Sequence, residues 1–109
     1  MIDLDGLRSI FAIYVKHGWL LRRVLLSPAL RASLGPSAAD FGGSAVQDSD
    51  IDAAWFSRAP AAGGVAWEIR YLSPAPYALV EHIDEFSDSF EADLGAVEAR
   101  LRQAVAKLK

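Results

Sequence analysis

Seven apolar residues near the C-terminus, Phe86, Phe90, Leu94, Val97, Leu101, Val105 and Leu108, are spaced 4, 4, 3, 4, 4 and 3. That period draws one stripe along an α-helix of about six turns, roughly 30 Å long. Acids lead the segment (Asp84, Glu85, Asp88, Glu91, Asp93) and bases close it (Arg100, Arg102, Lys107, Lys109), which suits the helix dipole. Asp88 with Glu91 three residues later resembles a capping box. The near-heptad spacing also fits a coiled-coil seam, but one core face of an α+β domain is the commoner use of such a stripe. A helix with a continuous apolar face must bury it, so the rest of the chain has to supply a matching surface.

At 109 residues, 52% of them apolar or aromatic, the chain is expected to form a single domain over 1–109 with one real core. An early helix begins at Asp3 or Asp5 and carries Leu7, Ile10, Phe11, Tyr14 and Val15 on one face. Gly18 allows two continuations. Either the helix stops near His17 and Trp19 to Leu26 is a strand, or the helix runs on through Leu21 and Leu25 at a cost of about 1 kcal/mol for the glycine. The strand is preferred, because Gly18 precedes a bulky run that ends at a new helix start. Ser27-Pro28 is that start, a cap followed by proline at the first helical position, and Gly35-Pro36 closes the helix.

Residues 35–50 are rich in Gly, Ser, Ala and Asp without periodicity, and read as a surface loop. Ile51–Arg58 and Val65–Leu72 read as a hairpin, and Tyr77–Ile83 as a further strand after Ser73-Pro74-Ala75-Pro76. The expected fold is therefore α+β, an antiparallel three- or four-stranded meander flanked by an N-terminal and a long C-terminal helix.

If the hairpin closes symmetrically, Arg58 opposes Val65, Phe56 opposes Trp67 and Trp55 opposes Glu68. Both sheet faces then hold large apolar groups, Phe56, Trp67, Ile69 and Ala54 on one and Trp55, Ile51 and Leu72 on the other. The second face is covered by the 35–50 loop or by another molecule, and a one-residue slip exchanges the assignments. On the second reading Trp19, Trp55, Arg58, Glu68 and Arg70 form an interaction surface, since Trp and Arg are favoured anchors.

Glu81, His82 and Asp84 form the densest polar run and are the candidate polar site. His82 and Asp84 with His17 supply the donor types of a two-histidine, one-carboxylate metal centre, but no further histidine supports them, so no metal and no cofactor is expected. Zero cysteines exclude thiol catalysis, and no G-x-S-x-G, Walker or G-x-G-x-x-G pattern is present.

The net charge of -3 and a pI near 5.2, with acids at the start of the last helix, argue against nucleic acid. No stretch reaches the ~20 apolar residues of a membrane span. The acidic opening Met-Ile-Asp-Leu-Asp-Gly lacks the charge pattern of a secretory signal, and arginines outnumber lysines eight to three. The expected setting is a bacterial cytoplasm. The expected function is a non-catalytic interaction or regulatory module that self-associates as a dimer or meets a protein partner. The alternative is a small-ligand-binding protein or small enzyme with its site near His82.

Overall fold

The computed structural model describes residues 2–36, 41, 44–59, 65–74 and 76–107. Three helices, α1 (Leu4–Lys16), α2 (Pro28–Leu34) and α3 (Phe90–Ala106), surround strands β1 (Leu20–Leu26), β2 (Ala45–Asp48), β3 (Ala53–Arg58), β4 (Ala66–Tyr71) and β5 (Ala78–His82). The strands form one sheet in the order β2-β1-β3-β4-β5. The α+β class and the flanking terminal helices are as expected, and the 19–26 segment forms a strand from Leu20 onward.

The sheet is mixed rather than an antiparallel meander, and it has five strands. β2 lies parallel to β1, pairing Val24 with Val46 and Leu26 with Asp48, while the other three pairings are antiparallel. The 35–50 segment is thus not wholly a surface loop. It contains β2, and its Phe41 is buried edge-on against Phe11 at 5.5 Å between ring centres. Residues 37–40, 42–43 and the hairpin connection 60–64 lie outside the described residues.

Local signals explain most boundaries. The Asp3 carboxylate accepts the Gly6 N–H at 2.8 Å and caps α1. Ser27 Oγ accepts the Leu30 N–H at 3.2 Å, and Asp52 in turn accepts both the Ser27 N–H and the Ser27 hydroxyl, tying α2 to the start of β3. α3 begins at Phe90, later than the stripe suggests, and Asp88 does not cap it. The stretch before it is turned by side chains instead: Asp84 accepts the Phe86 N–H and Ser87 Oγ the Ser89 N–H. Phe86 consequently leaves the stripe and is 90% exposed, and Leu108 lies outside the described residues.

The hairpin register differs by one residue from symmetric closure. Arg58 pairs with Ala66, Phe56 with Glu68, and Trp55 with Ile69. Because side chains alternate, the slip moves Trp67 and Ile69 onto the face of Trp55, and Glu68 and Arg70 onto that of Phe56. Two cores result, one on each side of the sheet. Trp55, Trp67, Ile69 and Leu25 pack under Leu94, Val97, Leu101 and Val105 of α3. Phe56, Ala54, Val24, Leu26 and Leu72 pack under α1 and α2 through Leu7 and Leu30. The second apolar face foreseen in the sequence is therefore covered within the chain itself. Among the described residues no helix is long and apolar enough to cross a membrane.

Candidate functional site

α1 ends in a Schellman motif that builds one wall of a surface hollow. Gly18 takes φ +86°, a conformation that favours glycine. Its N–H bonds to the Val15 carbonyl and the Trp19 N–H to the Tyr14 carbonyl, each at 3.0 Å. The hydrophobic contact that accompanies this motif is Trp19 edge-on against Tyr14, 6.1 Å between ring centres. Chain reversal and aromatic placement thus come from the same four residues.

The sheet supplies the other wall. Tyr14 stacks on Phe56 with ring centres 3.9 Å apart and planes 11° from parallel, and its hydroxyl donates to Glu68 Oε2. The Arg58 guanidinium lies 4.6 Å from the centre of the Trp19 ring and donates to the His17 carbonyl at 3.2 Å. Ile13, Tyr14, His17, Trp19, Arg58 and Glu68 line a hollow of about 390 Å³. A second hollow of about 310 Å³ follows α1 toward its N-terminus, where Arg70 meets Ile2, Asp3, Gly6 and Ile10.

Burial, reinforced by the bond to Glu68 and its negative charge, pushes the Tyr14 hydroxyl well above the usual tyrosine range, while Arg70 opposes the shift. The neutral phenol is thus favoured in the fold. Its contribution to stability is fully present below the unfolded tyrosine pKa of ~10. It is lost as pH rises beyond that value, because the unfolded chain gives up its proton first. Tyr14→Phe should therefore flatten the fall in melting temperature above about pH 10. An equally steep fall in the variant would show that other groups set the alkaline limit.

The residues expected to form an interaction surface divide. Trp19, Arg58 and Glu68 meet in this hollow, and Arg70 stands two positions along β4 on the same face. Trp55 does not join them. It is completely buried on the α3 side, with its indole N–H donating to Glu98 at 2.9 Å, because the observed register turns it away from Glu68 and Arg70.

The candidate polar run also divides. β5 ends at His82, so Asp84 does not continue its face. Both still line a hollow of about 410 Å³ with Val65, Ile83, Glu85 and Phe86. Glu81 pairs with Arg100 at 2.5 Å and shares a separate hollow of about 310 Å³ with His82 and Asp93, which Asp84 does not line. His17 belongs to the α1 hollow, and among the described residues no cluster of three or more His, Asp or Glu is placed to hold a metal.

The sequence places Tyr14 on the buried stripe of the first helix and His17 at the end of that helix and among metal donors, without bringing the two together. The Tyr14-x-x-x-Gly18-Trp19 spacing was the available signal, since it implies the aromatic contact across a Schellman turn. No family model, curated protein or solved structure matches this chain.

Proposed function

We propose that this chain is a non-catalytic interaction module that pairs with a second copy of itself along the β5 edge. The supporting observation is Val80. It sits at the centre of β5, the last strand of the sheet, and is 51% exposed. α3 packs over β4 and β5 from one side, whereas α1 packs over β1 and leaves Ala78, Val80 and His82 exposed on the other. An edge strand presents main-chain donors and acceptors that a second strand can satisfy. Antiparallel pairing about Val80 is two-fold symmetric and brings the exposed Ala78 and Val80 of one copy beside those of the other. The opposite edge, β2, has four residues and ends on Asp48, and so offers a shorter ladder.

Size-exclusion chromatography with light scattering tests this reading. The chain is expected to run at twice its 11.8 kDa mass at micromolar concentration, and Val80→Lys to run as a monomer with an unchanged circular dichroism spectrum. A wild-type monomer throughout that range, or a Val80→Lys dimer, overturns it.

A further inference from the structure

Five of the eight arginines pair with carboxylates: Arg22 with Glu85, Arg23 with Glu91, Arg31 with Asp48, Arg100 with Glu81 and Arg102 with Asp50. Arg58 and Glu68 break this habit. They lie diagonally across the β3–β4 ladder, Arg58 opposite Ala66 and Glu68 opposite Phe56, a placement that sets their backbones about 7–8 Å apart, within reach of long side chains. Yet among the described residues neither has an ion-pair partner. The Trp19 ring and the His17 carbonyl hold the guanidinium, and the Tyr14 hydroxyl holds the carboxylate. The hollow therefore keeps a positive and a negative group apart across an aromatic floor, with the exposed Ile13 and the half-buried Trp19 as an apolar wall.

We propose that this hollow binds a free α-amino acid with an apolar side chain, its carboxylate on Arg58, its ammonium on Glu68 and its side chain against Trp19 and Ile13. A lone anion would leave Glu68 facing it, and a lone cation would leave Arg58 facing it. A zwitterion satisfies both at once. The volume of about 390 Å³ lies within the range of small-molecule sites. The guanidinium, planar and already braced by the Trp19 face, is pre-organised to take a carboxylate in bidentate fashion. This inference is independent of pairing along β5.

The test is a titration of the isotope-labelled full chain with L-leucine, N-acetyl-L-leucine and L-leucinamide, followed through the Trp19 indole N–H and the backbone signals of residues 13–19. L-leucine should saturate these shifts with a dissociation constant on the order of 0.1–1 mM. Either capped form should bind about tenfold or more weakly, because each removes one charge. Arg58→Gln and Glu68→Gln should each weaken L-leucine by a similar factor. In the second, the glutamine carbonyl still accepts the Tyr14 hydroxyl, so the fold is retained and dispersed spectra confirm it. Lack of saturation by L-leucine overturns the proposal. So do capped leucines that bind as well as the free amino acid, and folded variants that bind it unchanged.

Discussion

Trp55→Ala should lower the unfolding free energy by about 3–5 kcal/mol, read from urea denaturation with the wild-type chain alongside. Trp55 is completely buried and lies edge-on to Trp67 at 6.2 Å between ring centres. It pairs with Ile69 across the ladder and forms part of the core beneath α3. Removing the indole opens a cavity that α3, bound along its length by Leu94, Val97 and Leu101, can collapse into only in part. Glu98 also loses the N–H it accepts. Domains of this size have only ~5–15 kcal/mol in total, so the variant should be near the limit of cooperative folding. Trp55→Phe separates the contributions. It keeps an aromatic ring in the core and gives up the bond to Glu98, and should cost less than the alanine variant. A loss below about 1 kcal/mol for Trp55→Ala would mean that α3 does not enclose the ring.

What the sequence disclosed and what it concealed follow from how local each signal is. The caps of α1 and α2 are legible because Asp3 and Ser27 act within three residues of themselves. The α3 stripe is legible because its period repeats. β2 was hidden: Ala45-Val46-Gln47-Asp48 has one partly buried apolar residue, and its parallel pairing with β1 is decided by residues 22 positions away. The hairpin register was hidden for a similar reason. Both registers place bulky groups on both faces, and only the α3 stripe, which needs Trp55, Trp67 and Ile69 together, selects the observed one. That slip also decided the site. It carried Glu68 to the Tyr14 side, where it lines the hollow with Arg58 and Trp19, and turned Trp55 into the core beneath α3.

Phe56→Ala should cost a comparable ~3–5 kcal/mol, but through the other half of the molecule. Phe56 follows Trp55 in sequence and faces the opposite layer, stacked under Tyr14 and 6.0 Å from Phe11 between ring centres. Its loss opens space beneath α1, so amide exchange should quicken in α1 for this variant and in α3 for Trp55→Ala. Tyr14 reports the same event independently. Burial is the largest cause of its raised pKa. With its stacking partner gone, the Tyr14 hydroxyl should titrate closer to the unfolded value of ~10, visible in tyrosinate absorbance on alkaline titration. Phe56→Leu, which fills more of the space, should leave Tyr14 nearer its wild-type titration. If Phe56→Ala loosened α3 instead, or left the Tyr14 titration unmoved, the two-layer division of the core would be wrong. The hollow would then no longer owe its shape to the phenylalanine beneath it.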